Sequence, residues 1–187
     1  MMSTTAARIC EGEVMQFQMT TLETWSLAHY RTVIEGKTAV LLATATEAPA
    51  MLAGVKDEER EALRSFGMAY GRAFQMQDDR LDLLGDPAIL GKPVGGDLRE
   101  GKATHATLVL IEAGVEEAAD IVRRHARRDG DIERMRTLVL EHGADEATRS
   151  AIRDEIHGAV RALDVFPAST AREALTHLAE RELARLD

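Results

Sequence analysis

The sequence predicts an all-α protein, on three observations. Aromatic residues make up only 4% of the 187, against 45% hydrophobic residues and just 4 prolines, a balance that favours helices with aliphatic cores. Apolar positions recur at three- and four-residue intervals in one segment after another, the period of a helix face. Glycine or proline stands at most of the breaks between segments. No internal repeat or linker divides the 187 residues, so residues 1–187 read as one domain with ample length for a core.

The elements follow in order. From about Thr4 to Met19, the residues Ile9, Val14, Met15, Phe17 and Met19 give a helix with a broad apolar face, broken at Thr20-Thr21. A long helix is expected from about Thr24 to Ala53, kinked at Pro49 and stopped at Gly54. Asp57 reads as the N-cap of a third helix reaching about Leu84, with Arg60 where a capping box would have Glu or Gln. Residues 85–102 hold five glycines and two prolines and must be mostly loop, of a length that in compact domains usually serves function. Helical patterns then cover about 105–113, 116–128, 131–142 and 146–164, with turns at Gly114, Gly130 and Gly143. A last helix over about 168–186 follows Pro167, with Ser169 as N-cap.

Charge narrows the function. The formal net charge of −9 disfavours nucleic acid and anionic membrane surfaces as partners. No stretch approaches the roughly 20 apolar residues of a transmembrane helix. The single Cys10 forms no intramolecular disulfide, and no targeting segment is visible near Met1; a cytoplasmic protein is expected. Of the basic residues only Lys37, Lys56, Lys92 and Lys102 are lysines, the rest arginine. Lys56, in a polar run, reads as plain surface; the other three reflect either chance drift in codon use or sites where a compact point charge meets phosphate.

The third helix holds the strongest chemical signal. Gly67, Gly71, Gln75, Asp78 and Asp82 share one face, with Asp79 about 100° round the helix. Like charges at i and i+4 repel by a few tenths of a kcal/mol. Two readings stand on the residues alone: a solvated acidic face, or carboxylates gathered around Mg2+ and a diphosphate. The glycines fit close helix packing or clearance for a ligand. Lys37 either snorkels to solvent or faces a cleft shared with Asp78 and Asp82, and Thr38 either bonds back to a carbonyl or belongs to the site. The six histidines have no metal-site spacing.

Together these motifs resemble a known family. Tyr30-Arg-Thr-Val-Ile-Glu-Gly-Lys37-Thr38-Ala39, Phe66-Gly67, Gly71-Arg-Ala-Phe74-Gln75-Met-Gln-Asp78-Asp79-Arg-Leu-Asp82, and Gly91-Lys92-Pro93 through Asp97-Leu-Arg-Glu-Gly101-Lys102 are similar to the trans-type polyprenyl diphosphate synthases. Gly12-Glu13-Val14-Met15-Gln16 resembles a family helix just upstream. The resemblance implies an all-α isoprenoid-synthase-type helical bundle, a homodimer, and Mg2+-dependent head-to-tail condensation of isopentenyl diphosphate with an allylic diphosphate. It implies Asp78, Asp79 and Asp82 as metal ligands, Lys37, Lys92 and Lys102 as diphosphate contacts, and Thr38 and Gln75 as dipoles facing the allylic cation.

The departures have consequences as well. The family's first aspartate-rich motif, the arginine pair after it and an upstream basic cluster have no counterpart here. The chain thus resembles only the C-terminal half of a synthase, its N-terminal helices missing, and is expected to be inactive alone. The alternative expectation is a non-catalytic subunit of a heteromeric synthase, the partner chain supplying the missing half. Arg80 stands where the family has an apolar residue, and His105-Ala106 where Leu-Pro is common.

Overall fold

The computed structural model describes residues 1–91 and 93–185. It is helical throughout, and no strand occurs among the described residues. The helices are α1 (Met2–Thr21), α2 (Leu27–Ile34), α3 (Val40–Ala53), α4 (Asp57–Leu84), α5 (Pro87–Leu90), α6 (Gly96–Arg99), α7 (His105–Glu112), α8 (Glu116–Arg123), α9 (Asp131–Glu141), α10 (Ala144–Ala162) and α11 (Thr170–Ala184).

Several local expectations hold. Gly54 ends α3 in the left-handed conformation (φ 66°), which glycine adopts without a Cβ penalty. Gly114, Gly130 and Gly143 share that conformation at the expected turns. The Ser169 hydroxyl caps α11 by accepting from the Arg172 N–H.

Others are corrected. The long helix expected over residues 24–53 is two α-helices joined by a π-helical turn, Glu35–Ala39. Its expected end holds, since α3 contains Pro49 and runs to Ala53. Asp57 is the first helical residue of α4 rather than its cap; the Glu59 carboxylate reaches back to the Lys56 N–H at 3.0 Å, one half of a capping box set a residue earlier. The helix expected to end near residue 128 stops at Arg123. Asp131 explains this: its carboxylate accepts from Nε and Nη2 of Arg124 and from the Arg128 N–H, closing a loop in which His125 and Ala126 have positive φ.

The chain divides into two compact units: Met1–Val14, Thr32–Gln77 and Ala151–Asp187 form one, Met15–Arg31 and Asp78–Ser150 the other. Phe66, Ile152, Ile156 and Leu163 are buried in the first, Leu108, Leu110, Ile121 and Met135 in the second. Both cores are mainly aliphatic, as the composition requires. No helix among the described residues is long and apolar enough to cross a membrane.

Candidate functional site

In the first unit, glycines set the geometry. A Cβ on Gly71 would lie 2.5 Å from the Ala39 Cα, and one on Gly67 2.6 Å from the Ala43 Cα. Both glycines therefore serve close packing of α4, the first of the two sequence readings. The next residue on that face, Gln75, meets the π turn directly: the Thr38 hydroxyl donates to Gln75 Oε1 at 2.7 Å. From the other side a Cβ on Gly12 of α1 would lie 2.5 Å from the Lys37 nitrogen. Residues 35–39 are thus held between two glycine contacts, and a π turn re-aims side chains within a helix. Lys37, half-buried, pairs with Glu13 of α1 at 3.5 Å.

In the second unit, the aspartates divide the work. Asp78 is exposed, whereas Asp79 is buried and accepts the Tyr30 hydroxyl at 2.7 Å. Burial, then the neighbouring Asp79, raises the Tyr30 pKa well above its usual value, so the phenol remains a donor to that carboxylate. Asp82 ties α4 to the following loop: its carbonyl accepts the Gly95 N–H at 2.6 Å and its carboxylate the Asp97 N–H at 2.9 Å. A Cβ on Gly96 would sit 3.2 Å from Asp82 Oδ1, so the loop backbone fits tightly against this carboxylate.

Asp97, on α6, has a pKa raised by burial and then by the charge of Asp82. Lys102 meets Asp97 at 3.4 Å and Glu100 at 2.6 Å. Burial opposes its charge, yet hydrogen bonding to Glu100 and the Asp97 charge outweigh that and raise its pKa, keeping it cationic. The loop contains two four-residue helical turns, α5 and α6, and Lys92 lies outside the described residues.

No group of three or more His, Cys, Asp or Glu among the described residues is arranged to hold a metal ion. The oxygen donors fit a different arrangement. Mg2+ is commonly held by one or two carboxylates and completed by water and substrate phosphates; Asp78, exposed, and Asp82, half-buried, suit it, and the charge that Asp82 places on Asp97 is what a cation would relieve.

The sequence reading missed roles for Tyr30, Asp97 and Glu13, although all three stand within the matched motifs. It also left Arg80 and His105 unexplained. Arg80 makes a bidentate pair with Asp145 at 2.6 and 3.2 Å. His105 Nδ1 lies 2.9 Å from the Thr148 oxygen; since that hydroxyl donates to Ala144 O, the imidazole is the donor. Asp145 and Thr148 are one turn apart on α10, so one helix accommodates both departures.

The family follows from comparison. A family model described as Polyprenyl synthetase matches residues 1–141, and the chain belongs to that family. It is 38% identical over 186 residues to the all-trans-nonaprenyl-diphosphate synthase (geranyl-diphosphate specific) of Rhodobacter capsulatus, covering 98% of this chain and 57% of the relative. Octaprenyl diphosphate synthase of Escherichia coli is 38% identical over 181 residues, with 95% and 56% covered. The polyprenyl synthase from Caulobacter crescentus complexed with calcium and isoprenyl diphosphate matches with a TM-score of 0.89 and 38% identity, over 100% of this chain and 57% of that one. The fold is the all-α isoprenoid-synthase fold of these neighbours, and the chain spans little more than half their length.

Proposed function

We propose that the chain is the allylic-diphosphate-binding part of a prenyltransferase that condenses isopentenyl diphosphate with an allylic diphosphate using Mg2+. One observation supports this most: a single face of α4 presents Gln75, fixed by Thr38, then Asp78 and Asp82 at i+3 and i+7. Asp78 and Asp82 hold the cation, and Asp79 braces them from the buried side through Tyr30. When bound, Mg2+ neutralises the leaving diphosphate. Lys37, Lys92 and Lys102 take phosphate oxygens as point charges. With its proton on Gln75, the Thr38 oxygen turns lone pairs outward, a preorganised dipole for the developing allylic cation. The released diphosphate accepts the proton lost from the lengthened chain.

The isopentenyl diphosphate side depends on motifs absent from these 187 residues, so the chain alone binds diphosphate without turnover. With Mg2+ and a bisphosphonate, a rise in Tm of a few degrees is expected, lost in Asp82→Asn. A shift that survives Asp82→Asn overturns the site assignment, and prenyl product from the chain alone overturns its inactivity.

A second copy, or the subunit of a heteromer, is the proposed partner, with α1 as its contact. Ser3, Ala7, Cys10, Val14, Phe17 and Thr21 follow strict four-three spacing along α1, and all are exposed and uncharged. The opposite face, Thr5, Gly12 and Met19, is buried. Such a seam is what helix pairing uses. A cytoplasmic location belongs to the same proposal, in keeping with a free, exposed Cys10.

A further inference from the structure

The first unit contains a cavity of about 390 Å³ among α1, α3 and α4, lined by none of the proposed diphosphate contacts. Arg8, Arg60 and Arg64 line it together with a single carboxylate, Glu47. On α4 it shares the face of Gln75 but lies nearer the helix start: Arg64 and Met68 precede Gln75 by eleven and seven residues, within about 20° of it round the helix.

The three guanidiniums are loosely held by the standards of this protein. Arg72 reaches Glu155 at 2.6 Å and Arg80 reaches Asp145 at 2.6 Å. Arg8 comes no nearer than 3.9 Å to Glu11. Arg60 stands 3.6 Å from Glu47 and 3.4 Å from Asp57, and Arg64 stands 4.0 Å from Glu47. The Arg60 Nε is in addition buried without a hydrogen-bond partner. Buried donors are normally satisfied, and of the three carboxylates near these arginines only Glu47 lines the cavity, Glu11 and Asp57 being turned to solvent.

The remaining walls are of two kinds. The Thr5 and Thr44 hydroxyls, both buried, bond to one another at 2.7 Å, while Met51 and Met68 offer adaptable apolar surface. At about 30 Å³ for each water-sized group, the volume holds roughly a dozen such groups, more than an inorganic anion fills. We infer that this cavity binds an amphipathic anion, a phosphate or carboxylate head on Arg8, Arg60 and Arg64 with a short apolar tail over Met51 and Met68.

Calorimetric titration of the full chain in EDTA, which denies the aspartate motif its cation, tests this with octyl phosphate, octanoate, inorganic phosphate and octanol. Octyl phosphate or octanoate should bind at least tenfold more tightly than inorganic phosphate or octanol, and the stronger of the two identifies the head group. Arg60→Gln with Arg64→Gln should weaken that binding at least tenfold, whereas Asp82→Asn should leave it unchanged. Arg64→Gln alone keeps the test open if the double variant misfolds, because that side chain is half exposed and its carboxylate distant; at least a threefold loss is expected. Absent binding, binding unaffected by the arginine changes, or binding lost in Asp82→Asn would each overturn the inference.

Discussion

Gly12 and Gly158 make opposite predictions from the same residue type. Both lie in helices, where replacing glycine by alanine ordinarily gains about 0.5–1 kcal/mol. A Cβ on Gly158 finds nothing nearer than the end of the Arg161 side chain at 3.9 Å, so Gly158→Ala should stabilise by about that amount. On Gly12 the nearest atoms are backbone, Lys37 N at 2.5 Å and Gly36 C at 2.8 Å, and backbone moves far less readily than a side-chain tip. Gly12→Ala should destabilise by about 1–3 kcal/mol and displace the turn bearing Lys37 and Thr38. Urea denaturation of both variants measures the contrast.

His105 predicts an acid-sensitive fold at the same scale. Burial lowers its pKa from 6.5 to about 4, the charge of Glu112 acting the other way. As pH falls from 6.5 towards 4, the unfolded chain takes up a proton that the folded chain refuses. The stability is therefore fully present above pH 6.5 and declines to about pH 4, by about 3 kcal/mol in all. His105→Leu should remove this component, leaving a flatter stability curve across that window in denaturation series at several pH values.

At the scale of elements, α10 decides how α4 tolerates Arg80. The Arg80 and Asp145 side chains are 11% and 17% exposed, so removing one partner strands a charge largely out of water. Asp145→Ala should cost about 2–4 kcal/mol, whereas Arg80→Leu with Asp145→Ala should cost far less than the two single changes added together. A double-mutant cycle by chemical denaturation reads this coupling.

These partnerships also mark where the sequence stops being legible. The Ser169 cap, the glycine stops and the aspartate face of α4 depend on residues within a turn or two of one another, and each is visible locally. Tyr30 and Asp79 are 49 residues apart, Arg80 and Asp145 65, His105 and Thr148 43; only folding shows that they meet. The π turn escapes for another reason. The five residues Glu35–Ala39 carry no composition signal that sets them apart from an α-helix, and the glycines packed against them, Gly12 and Gly71, lie on two other helices.

At the scale of the whole molecule, the exposed face of α1 predicts self-association. The helix has three charged residues in twenty, Arg8, Glu11 and Glu13, none of them on the Ser3–Thr21 seam. Phe17 stands 70% exposed and Val14 55%, which is costly for a helix left bare in water. A two-fold pairing of α1 with α1 would bury both on each copy without stranding a charge. Light scattering on the eluted protein should therefore report a dimer. Because the seam is uncharged, raising salt from about 0.05 to 1 M should not dissociate it. Phe17→Glu should weaken the dimer by about tenfold to a hundredfold, as expected for an aromatic anchor. Cys10 lies on the same seam, so mild oxidation should link two chains in the native protein and fail to do so in Phe17→Glu. Dissociation by salt, or Cys10 crosslinking that persists in Phe17→Glu, would assign the contact to another surface.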